Sequence, residues 1–169
     1  QRSIEAILVS PTPNWVILAG FVGGGGARGL FVGAIVTFVA AFFVDFRLHD
    51  PFVTCGILLL TAVLFSLGGF INAVFADKFD DISIIPAFVL TPLTYLGGVF
   101  YSIDLLSPVW RTISYFNPIV YMVSTFRYGF FGQSDGLPVG IAFGAVLVFV
   151  VIFWFISLWL LRRGTGLRV

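Results

Sequence analysis

The residues that could carry catalytic chemistry in this chain are few. Gly24, Gly26 and Gly29 fit the glycine fingerprint of a dinucleotide site. Asp50 follows at a distance suited to a ribose contact. That fingerprint requires a preceding strand within a βαβ unit, whereas a long apolar helix follows here. The chain has no HExxH or GxSxG motif, and its one histidine, His49, lacks metal-ligand spacing. We therefore predict no catalytic, metal or cofactor site in this chain.

Two other reactive groups have structural explanations. Asp80 and Asp81 precede an apolar segment, where carboxylates cap a helix and complement its dipole. This role is more typical of them than metal binding. Cys55, the only cysteine, stands in an apolar run and is predicted to be a buried, inert thiol.

Composition indicates a membrane protein. The chain is 59% hydrophobic and 10% charged, whereas globular domains average about 25% charged residues. Its net charge is +1, and no basic cluster is interleaved with aromatic residues, so we expect no nucleic-acid partner. The predicted fold class is an all-α membrane protein in contact with the lipid bilayer.

Apolar stretches of about 20 residues predict four transmembrane helices. Their predicted limits are about 27–46, 52–76, 82–101 and 139–161. Segment 103–131 is also apolar, but Pro108 and Pro118 divide it into pieces too short to span a bilayer. We expect it to form a re-entrant helical hairpin. Residues 2–9 carry apolar side chains at i, i+3 and i+4 and predict an amphipathic helix.

Positive charges predict the orientation of these helices, because cytoplasmic segments are enriched in Lys and Arg. Alternating spans place six cations on one side and three on the other. The first set is Arg2, Arg28, Lys78, Arg162, Arg163 and Arg168; the second is Arg47, Arg111 and Arg127. Both ends of the chain are therefore predicted to be cytoplasmic, and the hairpin external.

Two further features concern the spans themselves. Gly25, Gly29 and Gly33 recur every four residues, a small-residue stripe that allows close helix packing; a flexible helix entry is the alternative. Arg28 and Asp45 are predicted to lie near opposite membrane interfaces. With no ionisable residue at mid-span, the sequence argues against a proton-driven antiporter.

The chain resembles the C-terminal two-thirds of an ABC-2 type permease, the membrane subunit of a bacterial ATP-binding-cassette exporter, and especially the inner-membrane transport permeases. The matching segments are FADKFDDIS at 75–83, PAFVLTPLTYLGGVFYSI at 86–103, FNPIVYM at 116–122, FRYGF at 126–130 and RRGTGLR at 162–168. The resemblance implies that residues 1–169 are part of one permease domain. It also implies that two N-terminal spans are missing and that residues 2–9 form the coupling helix.

The resemblance further implies a permease without its own ATPase site, in the bacterial inner membrane. Its partners would be two copies of a cytoplasmic ABC ATPase subunit, which would hold ATP and Mg, and a second permease copy in a homodimer. The substrate would be amphipathic: drug-like, or linked to a glycan or lipid. A self-contained secondary transporter or channel, or a non-transporting scaffold, remains an alternative, and the residues do not reveal the substrate.

Specific residues carry these expectations. Those expected to couple to the ATPase are Arg2, Ile4, Glu5, Ile7, Leu8, Pro11 and Pro13. Those expected in the external hairpin and substrate exit are Tyr101, Pro108, Trp110, Tyr115, Phe116, Asn117, Pro118, Tyr121 and Arg127. Aromatic rings there could stack on a substrate or anchor the protein at the interface.

Overall fold

The computed structural model describes residues 13–44, 48–76, 81–133 and 136–163. They form six α-helices, joined by short turns and one 3-10 turn at Ile103–Leu105. The helices are α1 (Asn14–Ala40), α2 (Pro51–Phe75), α3 (Asp81–Leu96), α4 (Pro108–Ser114), α5 (Pro118–Phe131) and α6 (Val139–Arg163). These ranges contain no strand, so the predicted all-α class is confirmed. The predicted coupling helix at 2–9 lies outside the described residues.

Three of the helices are long and apolar enough to cross a membrane: α1 with 27 residues, and α2 and α6 with 25 each. At 1.5 Å per residue they are about 38–40 Å long, which exceeds a hydrocarbon core of about 30 Å. Helix α3 has only 16 residues. Three long helices and one shorter one thus stand where four spans were expected, and the count of four spans stays a prediction.

The first long helix differs from the predicted span at 27–46. It begins at Asn14, directly after Pro13, and ends at Ala40. The run of four glycines from Gly23 lies inside this helix, although glycine costs about 1 kcal/mol relative to alanine there. Packing against α2 compensates, because Gly25 and Gly26 lie against or within the bundle.

Glycine contacts give the register of the three long helices. Gly25, Gly29 and Gly33 of α1 face Ser66, Ala62 and Leu58 of α2 in turn, so the two helices are antiparallel. Gly56 and Gly68 of α2 face Phe143 and Phe153 of α6, so these two are parallel. The three helices therefore lie level with one another over their whole length.

Two apolar clusters hold the helices together. The first joins α1, α2 and α6, and the second joins α2, α5 and α6. Their buried members are Leu18, Val22, Leu67 and Leu161 in the first, and Ile57, Leu64, Met122 and Val146 in the second. Cys55 lies on the opposite side of α2 and is exposed, so the prediction of a buried thiol was wrong.

The level register also corrects the position of Arg28. It precedes Gly29, which faces Ala62, within one residue of the midpoint of α2 (Pro51–Phe75). Arg28 is therefore near the middle of the bundle and not near an interface. Because α1 runs from Asn14 to Ala40, Arg28 lies near the middle of a helix of spanning length, whereas the predicted span at 27–46 put it at one end. Without Arg28 the count of cations becomes five against three, and the orientation stays a prediction.

The third predicted span, at 82–101, ends early. Helix α3 stops at Leu96, and Gly98 then adopts a φ of 72°, a left-handed conformation that favours glycine. The chain turns there and packs Ile103 against Gly98. The predicted hairpin at 103–131 comprises the 3-10 turn, α4 and α5. Its two breaks lie at Pro108 and Pro118, each the first residue of a helix.

Helix α5 is tied to the loop that precedes α2. The backbone amides of His49 and Asp50 both donate to the Gly129 carbonyl, at 3.0 and 3.1 Å. The Asp50 carboxylate then caps α2 by accepting from the amides of Phe52 and Val53, at 3.0 and 3.2 Å. One short loop thus satisfies the end of α5 and the start of α2.

Candidate functional site

The hairpin and α3 meet at the side chain of Asn117, which is 3% exposed. Its Nδ2 donates to the Leu93 carbonyl at 2.6 Å, and its Oδ1 accepts from the Ile119 amide at 3.0 Å. The last carbonyls of a helix and the first amides of the next lack partners inside their own helices. A single amide side chain therefore satisfies one group at the end of α3 and one at the start of α5.

Two more side chains bind the end of α3 and the turn that follows it. The Tyr101 hydroxyl donates to the Tyr95 carbonyl, and the Arg127 guanidinium donates to the Gly98 carbonyl at 3.2 Å. Backbone groups at membrane depth need protein partners, because lipid offers none. Three residues predicted at a substrate exit thus hold the end of α3 and the turn after it.

The end of α3 also packs closely against α5. A Cβ atom placed on Gly97 would lie 2.6 Å from Cγ2 of Ile119. A larger residue at position 97 would therefore push the two helices apart. Hydrogen bonds and packing together fix the angle at which α3 enters the hairpin.

The outer part of the hairpin is held by a polar network. Arg111 pairs with Asp104, with 2.8 Å between Nη2 and Oδ1, and its Nε donates to the Tyr115 hydroxyl at 3.1 Å. The Tyr121 hydroxyl donates to the Tyr115 carbonyl at 2.7 Å. The hydrogen bond to Tyr115, followed by the charges of Tyr115 and Asp104, holds the pKa of Arg111 above its usual value. Both charged side chains are about half exposed, so solvent screens the pair and its contribution to stability is small.

The exposed surface of the hairpin is aromatic. Phe116 is 80% exposed and Trp110 is 53% exposed, and both belong to the set predicted at the substrate exit. Pro108 and Pro118 in that set start α4 and α5. Three of the predicted exit residues therefore bind backbone groups in or just after α3, two belong to the polar network, and two have exposed aromatic rings. These are, in turn, Tyr101, Asn117 and Arg127; Tyr115 and Tyr121; and Trp110 and Phe116.

The predicted packing stripe on α1 lies against α2. A Cβ on Gly25 would overlap the hydroxyl of Ser66, which donates to the Val22 carbonyl at 3.3 Å. At Gly29 and Gly33 a Cβ would meet Ala62 and Leu58 at ordinary contact distances of 3.9 and 3.6 Å. The tightest contact of the stripe is thus at Gly25.

The predicted coupling residues fall mostly outside the described part of the chain. This applies to Arg2, Ile4, Glu5, Ile7, Leu8 and Pro11, whose assignment stays a prediction. Pro13 is described: it is exposed and extended, with φ −64° and ψ 141°, and α1 starts directly after it. Any segment that precedes Pro13 therefore connects directly to a helix of spanning length.

The position of Arg28 at the middle of the bundle is the feature that the sequence did not predict. The side chain is exposed at mid-bundle, and it makes no hydrogen bond or ion pair with any residue in the described ranges. An arginine at the centre of a membrane helix costs about 2.5–3.5 kcal/mol to insert. Among the described residues, no three His, Cys, Asp or Glu side chains form a cluster that could bind a metal.

Comparison with known proteins places the chain in a family. It is 58% identical over 168 residues to "Inner membrane transport permease YadH" of Escherichia coli K12, with 99% of this chain and 65% of that protein covered. The same values hold for the Shigella flexneri protein of that name. "Nodulation protein J" of Rhizobium leguminosarum bv. trifolii is 26% identical, with 96% of this chain and 62% of that protein covered.

This chain therefore spans about 65% of the length of the first relatives that it matches. No solved structure matches it significantly. The family model described as "ABC-2 type transporter" matches residues 1–131, which include α1 to α5. Because that match covers most of the chain, this protein belongs to the ABC-2 type transporter family.

Proposed function

We propose that this chain is part of the permease subunit of an ABC exporter in a bacterial inner membrane. The observation that carries the proposal is the family match across residues 1–131, in a chain with three helices of spanning length. The name of the 58% identical relatives, an inner membrane transport permease, supports the location. The proposed substrate is amphipathic: drug-like, or linked to a glycan or lipid.

The energy for transport would come from outside this chain. In the proposed complex, two copies of a cytoplasmic ABC ATPase bind ATP and Mg, and two permease copies form the path. Residues 2–13 would contact the ATPase. Because α1 begins directly after Pro13 and packs along α2, a displacement of this segment would move both helices. The exposed rings of Trp110 and Phe116 would border the external exit.

Arg28 bears on the alternative of a self-contained secondary transporter. Proton coupling needs a group that gains and loses a proton within the working pH range. A guanidinium stays protonated in proteins, so Arg28 is unsuited to carry protons. Its position at mid-bundle therefore does not favour the secondary transporter over the exporter.

The proposal is tested by a pull-down of the full-length, tagged protein from native membranes, with mass spectrometry of the proteins that copurify. The exporter predicts a soluble subunit with a phosphate-binding loop in near-equal amount. Isolation of the protein without any such subunit would contradict the exporter and favour the secondary transporter or scaffold.

A pair of variants tests the docking segment. We expect Ile7→Asp with Leu8→Asp to abolish copurification of the ATPase, because charges would replace the apolar face of the predicted amphipathic helix. Ala6→Asp with Ser10→Asp adds the same charge away from Ile7 and Leu8 and is expected to leave docking intact. Equal ATPase recovery from both double variants, at equal membrane insertion, would refute the assigned docking face.

A further inference from the structure

The strongest unexplained feature of the structure is a charged side chain at mid-bundle. Arg28 is 14 residues from the start of α1 and 12 from its end. At 1.5 Å per residue these distances are about 21 and 18 Å. The helix is roughly 10 Å longer than the hydrocarbon core, so with the bundle centred in the membrane Arg28 lies about 13 Å or more from either interface, which is too far for its side chain to snorkel. The guanidinium keeps its charge at all working pH values.

A charge at this depth requires a protein or water environment. Intramembrane arginines face a bundle interior or a water-filled cavity, and not hydrocarbon. Helices α1, α2 and α6 contain no Asp or Glu that could pair with Arg28. The anion that balances this charge must therefore come from outside these three helices.

The surface beside Arg28 is open. Gly24 and Gly20 lie four and eight residues before Arg28, on the same side of α1, and a Cβ atom added at either would have no neighbour within 4 Å. The absence of side chains at these glycines leaves space up to the helix backbone next to the guanidinium. A bulky group could thus lie against α1 with its acidic end on Arg28.

We propose that Arg28 binds the acidic group, a phosphate or carboxylate, of an amphipathic substrate halfway across the membrane. The proposal rests on the transport function proposed above and specifies the class of its substrate. A guanidinium forms two parallel hydrogen bonds with phosphate or carboxylate, which gives stronger and more selective binding than a point charge. The glycine surface beside it would accommodate the apolar part of the substrate.

The first experiment tests whether the site is wet. Full-length protein with Cys55→Ser, which removes the exposed native thiol, receives Arg28→Cys and is treated in membranes with a water-soluble thiosulfonate reagent. The control is Val151→Cys, which lies at the midpoint of α6 and is 45% exposed. We expect modification at position 28 and not at 151. Absence of modification at position 28 would overturn the proposal, because a cysteine that faces lipid or is packed against protein is shielded from the reagent.

The second experiment measures anion binding in the full-length protein in a neutral maltoside detergent. Dodecyl phosphate is expected to raise the Tm of the wild type, whereas dodecyltrimethylammonium, with the same chain and opposite charge, is not. Arg28→Gln should weaken the apparent affinity for dodecyl phosphate at least tenfold, Arg28→Lys less, and Arg162→Gln at the end of α6 not at all. An unchanged dodecyl phosphate response in Arg28→Gln would overturn the proposal.

A third outcome is also decisive. If Arg28→Gln fails to fold and Arg28→Cys is not modified, Arg28 pairs with an acid of another span or of a second copy, and the proposal is wrong. The ATPase pull-down is independent of both experiments. Loss of the anion site with a copurifying ATPase would refute only this inference, whereas absence of an ATPase would refute the exporter.

Discussion

Removal of the Asn117 side chain tests the joint between α3 and α5. Asn117→Ala leaves the Ile119 amide without its cap, which costs about 0.5–2 kcal/mol. It also leaves the partly buried Leu93 carbonyl without its donor, a loss of about 1–3 kcal/mol where such a group cannot reach water. The two effects concern one side chain and are not fully additive, so we expect a loss of about 2–4 kcal/mol in the free energy of unfolding.

A loss of about 3 kcal/mol changes the unfolding equilibrium by roughly a hundredfold. It can be measured on the full-length protein in mixed micelles, with circular dichroism at increasing SDS. The matched control is Thr112→Ala in α4, whose hydroxyl makes an exposed bond within its own helix to the Pro108 carbonyl at 2.9 Å. That variant is expected to lose less than about 0.5 kcal/mol.

Asn117→Asp separates the two roles of the side chain. A carboxylate still caps α5 and cannot donate to the Leu93 carbonyl. Its stability should therefore fall below that of the wild type while the cap is retained. The reasoning is refuted if Asn117→Ala loses no more stability than Thr112→Ala, because the buried bonds would then contribute nothing.

Three further substitutions follow from the contacts described above. Gly33→Ala should raise the free energy of unfolding by about 0.5–1 kcal/mol, because alanine has a higher helix propensity than glycine. Gly25→Ala should lose that gain, because its Cβ would displace the Ser66 hydroxyl. Equal SDS midpoints for the two variants would contradict the tight contact at Gly25. Asp104→Asn should leave the SDS midpoint close to that of the wild type, because its partner Arg111 is 42% exposed and solvent screens the pair. A clear drop in the midpoint in the same titration would show that the pair is shielded from solvent.

Local sequence signals predicted the helix starts of the hairpin. An Asn or Ser before Pro108 or Pro118 is a typical start of a helix, because the first residue has no amide hydrogen bond to lose. The structure begins α4 and α5 at those prolines. In the hairpin the prolines thus predicted the helix boundaries, since the interactions that set these boundaries lie within two or three residues.

The end of α3 was not predictable in this way. The groups that terminate it, Asn117 and Arg127, are 24 and 29 residues away from the carbonyls that they bind. A pattern in the local sequence cannot indicate partners at such a separation. The apolar run continues past Leu96 and therefore resembles a longer span, and only Gly97-Gly98 indicated a turn there.

The depth of Arg28 was missed for a related reason. The apolar run from Trp15 to Phe46 is too long for one crossing of the hydrocarbon core, and the prediction placed the span in its second half, at 27–46. In the structure the helix ends at Ala40, and α2 packs against Gly25, Gly29 and Gly33. Arg28 therefore lies near the middle of the bundle and not at the predicted interface, because its position depends on contacts between helices that the local sequence does not indicate.

The two amides that bind the Gly129 carbonyl connect the loop before α2 to the end of the hairpin. Although the His49 side chain is exposed, its backbone N–H is engaged at 3.0 Å, as is that of Asp50 at 3.1 Å. Their exchange with deuterated water therefore requires α5 to separate from this loop. Deuterium exchange at these two amides, measured by mass spectrometry, therefore reports opening of the hairpin without a chemical modification of the protein.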